Sequence, residues 1–167
     1  MLKALHETPP IVAHLVAERD DRELDQARAG GWSARVIMAH LRDDEAMVMR
    51  MRLVRMLTED NPLLPDFDEN AWAANRNTGR DQKETLLGDF TLQRQASLNI
   101  LRRLDEAHWG RQGRHEVNGA ITVQSWVEHW VEHDREHITQ LERALGDTMD
   151  AVLKRRAITY APRAEER

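Results

Sequence analysis

Glycine and proline are scarce in this chain, with 8 and 5 among 167 residues. They divide it into long stretches whose apolar residues recur with the period of a helix. The first stretch runs from about Pro10 to Leu24, with Ile11, Leu15 and Val16 on one face, and Gly30-Gly31 breaks it. Ser33, after Trp32, is placed to cap a second helix reaching to about Glu59, which Asn61-Pro62 stops. A long connector follows from about Leu63 to Arg80 and holds Phe67, Trp72 and Asn75. Asp81 opens a third helix to about His108, with Leu86, Leu87, Phe90, Leu98, Leu101 and Leu104 inward. Gly110, Gly113 and Gly119 mark an irregular link, and Thr122 caps a fourth helix ending at Gly146. No strand-period segment or internal repeat is evident. Met149, Val152 and Leu153 suggest a short extra helix.

Four long amphipathic helices with at least one long crossover predict an all-α four-helix bundle. One domain over residues 1–160, with a polar tail over 161–167, accommodates the chain. The net charge of -5 argues against a nucleic-acid partner, which needs clustered basic charge. Lys154-Arg155-Arg156 is too short to change that. No cysteine is present, so disulfides, thiolate ligands and a cysteine nucleophile are excluded. Met1-Leu2-Lys3-Ala4-Leu5-His6-Glu7 lacks the apolar core of a signal peptide, and nothing downstream approaches a membrane span. The expected setting is cytoplasmic.

Chemistry concentrates in His129-Trp-Val-Glu-His133-Asp-Arg-Glu-His137. Residues four apart stack on one helix face, and neutral imidazole is a common ligand for transition metals. A helical wheel separates the three. With Val123, Trp126, Val127, Trp130, Leu141 and Leu145 as the apolar stripe, His137 falls roughly 40° from its centre and His133 roughly 80°. His129 falls roughly 120° away and belongs to the surface.

On the second helix, Val36, Ile37, Leu41, Met47, Val48, Met51 and Val54 define the stripe. His40 and Asp44 lie within about 25° of its centre, where unpartnered polar groups are costly. A metal would satisfy His40. Asp44 could accept a hydrogen bond from the second ring nitrogen of a ligand histidine. Met49 and Met56 point away from this stripe, which disfavours a methionine-copper cluster. His6, His14, His108 and His115 have no spacing argument and are expected in solvent. A zincin motif fails because Asp134, not glutamate, follows His133. Asp134 projects near the apolar stripe, so it is expected to support a ligand or join helices.

Gly31-Trp-Ser-Ala-Arg-Val-Ile-Met-Ala-His40-Leu-Arg-Asp-Asp-Glu45 and Glu132-His133-Asp-Arg-Glu-His137-Ile-Thr-Gln-Leu141 resemble the two motifs of the DinB-like superfamily. These are metal-binding bundles that include YfiT-type proteins. A tryptophan-serine start leads there into a helix bearing the first histidine, and the last bundle helix supplies H-x-x-x-H. The resemblance covers nearly the whole chain and carries over His40, His133 and His137 as metal ligands. It implies one divalent transition metal (zinc, nickel or manganese), a small-molecule substrate and a homodimer. Some relatives use a low-molecular-weight thiol as cosubstrate. The expected function is therefore a metal-dependent enzyme of thiol S-transferase or hydrolase type, with Asp44 or Glu45 as base. The alternative is a non-catalytic, metal-stabilised dimeric binding or stress-associated protein.

Overall fold

The computed structural model describes residues 1–28 and 31–146. The expected extra helix and the polar tail lie outside them, as does Lys154-Arg155-Arg156. Four helical rods make the bundle: α1 (Leu2–Val16), a composite rod from Ala34 to Thr58, α6 (Lys83–Leu101) and α8 (Val123–Ala144). The composite rod consists of α3 (Ala34–Asp44), a π-helical segment (Glu45–Arg50) and α4 (Met51–Thr58). Short helices α2 (Asp21–Asp25), α5 (Glu69–Asn75) and α7 (Glu106–Trp109) sit in the connections. Both α1 and α3 pack on α6 and on α8, whereas α1 makes little contact with α3, and α6 little with α8. The chain therefore crosses the bundle diagonally in two connections. No helix among the described residues is long and apolar enough to cross a membrane.

Ser33 and Thr122 cap their helices as expected, accepting from the backbone N–H of Val36 and Ser125. Gly146, at φ +78°, follows α8. Other boundaries differ. α1 begins at Leu2 and carries Pro9 and Pro10 inside it. Proline cannot donate to the carbonyl four residues back, so Pro9 leaves the Leu5 carbonyl free, and Arg94 Nη1 fills that vacancy at 2.8 Å. Asp81 does not open the third helix. It is buried and accepts from Arg42 and Arg76. That helix also ends at Leu101, because Asp105 caps the separate α7.

Strands appear where none was expected. The glycine-rich link folds into a hairpin of β2 (Gln112–His115) and β3 (Gly119–Thr122), and β1 (Leu63–Leu64) pairs parallel to β2. A Cβ on Gly113 would meet Leu64 and Met56 at 2.9 Å, so glycine lets this sheet lie against α4. His115, expected in solvent, is buried. Its Nδ1 accepts from the N–H groups of Val117 and Asn118 at the hairpin turn.

The π-helical segment corrects the second wheel. One extra residue in a turn rotates everything after it by about 100°. Met47 and Val54, expected inward, are 55% and 38% exposed. Met49 and Met56, expected outward, are buried with Leu53 in the core.

Two apolar cores stack along the bundle. One gathers Val12, Val16, Ile37, Leu41, Phe90 and Leu141. The other gathers Leu5, Val48, Leu53, Leu98, Trp126 and Trp130. On every rod the residues between these sets are polar and buried: Thr8, His40, Asp44, Glu45, Arg94 and Asp134. This polar layer positions the site.

Candidate metal centre

His40 comes from α3, and His133 and His137 from successive turns of α8. One nitrogen from each ring lies within 4.8 Å of the others. The Nε2 atoms of His40 and His133 are 3.2 Å apart. Two imidazoles on one tetrahedral ion, each about 2.0–2.1 Å from it, would hold their nitrogens roughly 3.3 Å apart. His137 presents its Nδ1 to Gln140 Oε1 at 2.7 Å. That bond fixes the proton on Nδ1 and leaves the Nε2 lone pair for the site. The buried Nδ1 atoms of His40 and His133 have no hydrogen-bond partner. Three imidazole donors of this kind suit a borderline divalent ion. The donor set and its spacing fit the ion that the sequence implies.

Burial pushes the His40 imidazole down to about 3, aided by the charges of His137 and His133 and opposed by Asp44. Burial and the neighbouring His133 also lower His137. Burial acts the same way on His133, but Asp134 and Asp44 outweigh it and raise that ring to about 9. His40 and His137 are thus neutral donors at neutral pH. His133 holds a proton that a metal would have to displace.

Asp44 is close by, but not where a ligand-supporting carboxylate was expected. Its Oδ2 lies 3.1 Å from His133 Nε2, the nitrogen that also faces His40. Asp44 therefore stands on the open side of the site rather than behind a ring. Its Oδ1 is buried without a hydrogen-bond partner. Glu45 is turned into the core, where its Oε2 accepts from Arg94 and Trp130. Of the two candidate bases, only Asp44 reaches the histidines.

Support from behind comes from Asp134, whose Oδ1 lies 3.8 Å from His133 Nδ1. Thr8 and Arg94 both donate to Asp134. Arg94 also binds Glu45, so α1, the composite rod, α6 and α8 meet in one buried network. Arg94 and Thr8 were missed in the sequence. Arg94 left a trace, because it interrupts the series Leu86, Phe90, Leu98 at four-residue spacing.

Tryptophans wall the site. Trp32 and Trp72 stand 5.1 and 5.2 Å from the His40 ring, and Trp32 stacks on His137 at 6.5 Å. Trp72 arrives on α5 and is pinned by its Nε1 bond to Asp43 at 3.2 Å. Of the other two connector residues, Phe67 packs on the second core. Asn75 bonds back to Ala71. His129 stays outside the three-histidine cluster and stacks on Trp126 at 5.1 Å.

The family model of the DinB superfamily matches residues 4–141. The chain belongs to the DinB superfamily. Among curated relatives of this DinB-superfamily protein, YfiT of Bacillus subtilis is 27% identical over 153 residues, covering 87% of this chain and 84% of its own. A protein of Oceanobacillus iheyensis is 28% identical over 130 residues, covering 77% and 73%. Both are provisionally named metal-dependent hydrolases. The solved structure of YfiT, described as an unusual four-helix bundle topology, superposes with a TM-score of 0.74 at 27% identity. That match covers 88% of this chain and 86% of YfiT.

Proposed function

We propose that this protein is a metal-dependent enzyme of hydrolytic type, acting on a small molecule. His40, His133 and His137 hold one divalent ion, and Asp44 is the base. One observation carries the reading: two imidazole nitrogens from different helices lie 3.2 Å apart, with a third ring nitrogen within 4.8 Å. Such an ion, when bound, supplies Lewis acidity and eases deprotonation of a water or thiol nucleophile.

The chain's own residues do the rest. Asp44 accepts the nucleophile's proton at its unpartnered Oδ1 and returns it to the leaving group. Asp134 places a negative charge behind the His133 ring, and Trp32 and Trp72 exclude water from one side. A low-molecular-weight thiol in place of water would use the same base and give transfer instead of hydrolysis.

The test is to load the protein with zinc, nickel or manganese and assay esters, amides and thiol conjugates. Turnover that falls in Asp44→Asn while the metal is retained supports the reading. A protein that holds the ion and turns over none of these classes fits the non-catalytic alternative instead.

A further inference from the structure

Three arginines are buried among the described residues: Arg42, Arg52 and Arg94. Arg42 pairs with Asp43 and Asp81, and Arg94 with Glu45 and Asp134. Arg52, on α4, is 5% exposed and makes no ion pair among the described residues. Its guanidinium carbon lies 5.0 Å from the centre of the Trp126 ring, and one Nη donates to the Pro65 carbonyl. Its Nε is buried and has no partner at all. Asp44 and Asp66 act on it only from beyond ion-pair distance. A buried cation without a counter-charge is costly, and a guanidinium edge with a spare donor is shaped for a carboxylate.

A series of ring contacts along α8 links Arg52 to the histidines. Trp126, under the guanidinium, stacks on His129, and His129 lies 6.5 Å from His133. Trp126 and His133 are two helical turns apart on α8, a rise of about 10 Å. The negative charges of Asp44 and Asp66, which act on Arg52, favour a ligand with a single negative charge over a dianionic phosphate.

We propose that Arg52 anchors a carboxylate of the substrate, about 10 Å from the group that reacts at the three histidines. This rests on the reading of His40, His133 and His137 as metal ligands. The substrate class is a small monocarboxylate whose reactive group lies at the far end from its carboxylate.

The probes are suberate monohydroxamate, which carries a metal-binding head and a distal carboxylate, and octanohydroxamate, which lacks the carboxylate. Titration calorimetry on the zinc-loaded protein should find the first bound about tenfold tighter or more. Arg52→Met should erase that preference and leave octanohydroxamate affinity unchanged, while Arg52→Lys keeps part of it. Equal affinities in the unmodified protein overturn the proposal, and this comparison needs no variant. A preference that survives in folded Arg52→Met also overturns it and leaves Arg52 as a clamp on Pro65. If zinc is not retained and neither hydroxamate binds, the metal reading falls and the anchor falls with it.

Discussion

Arg94 donates to both oxygens of Asp134, at 2.5 and 3.0 Å, reaching through the bundle centre from α6 to the diagonal helix α8. Arg94 also serves Glu45 and the Leu5 carbonyl that Pro9 leaves free. Arg94→Met would strand two buried carboxylates and a carbonyl. The expected loss is about 3–5 kcal/mol of unfolding free energy, read from urea denaturation. A loss under about 1 kcal/mol would mean the network contributes no more than a surface ion pair.

The π-helical segment suggests a deletion. Removing exposed Met47 would let Glu45–Arg50 close as an ordinary α-helix while Met49, Leu53 and Met56 keep their inward phase. The shortened protein should fold, keep its helical circular dichroism and melt within a few degrees of the parent. A deletion that unfolds the protein would show that the π turn itself, and not only its phase shift, is required.

Asp44→Asn keeps the shape of the side chain and removes its basicity. If Asp44 accepts the nucleophile's proton, kcat should fall about 10²–10⁴-fold with metal content unchanged. Unaltered kcat on a substrate identified by the screen would remove Asp44 from the mechanism.

Proton release should accompany metal binding. His133 is raised to about 9, so at pH 7 the metal-free ring is charged. Its proton must leave before Nε2 can bind an ion. Affinity should therefore rise about tenfold per pH unit from 7 toward 9 and flatten above it. His40 and His137, both lowered, are already neutral there and add no slope. Calorimetry in two buffers of different ionisation enthalpy counts the proton. An affinity independent of pH in this range would contradict the assignment.

Much of the fold and site was legible because both rest on helical period. The α8 wheel separated His137 and His133 from His129, since that helix runs unbroken from Val123 to Ala144. On the composite rod the wheel held through Asp44; beyond it Val48 is buried as expected, but Met47, Met49, Val54 and Met56 are reversed. A single π turn leaves no mark on hydrophobic period until its phase shift is known. Arg52 was hidden for the same reason: on an unbroken α-helix it falls on the flank, roughly 100° from the stripe's centre. The hairpin was missed because strands as short as four residues, rich in polar side chains, do not show a clear alternation. Trp72 was visible as an aromatic in a long connector. That it closes over His40 depends on α5 and on its bond to Asp43, which no local pattern announces.

If histidines from two helices hold one divalent ion, its retention depends on His40 and not on His129. The most direct measurement is the zinc content of protein equilibrated with zinc and then dialysed, for the parent, His40→Ala and His129→Ala. About one zinc per chain in the parent and in His129→Ala, with almost none in His40→Ala, is the predicted result. A parent that retains no zinc, nickel or manganese, or a His129→Ala variant that loses as much as His40→Ala, would contradict it.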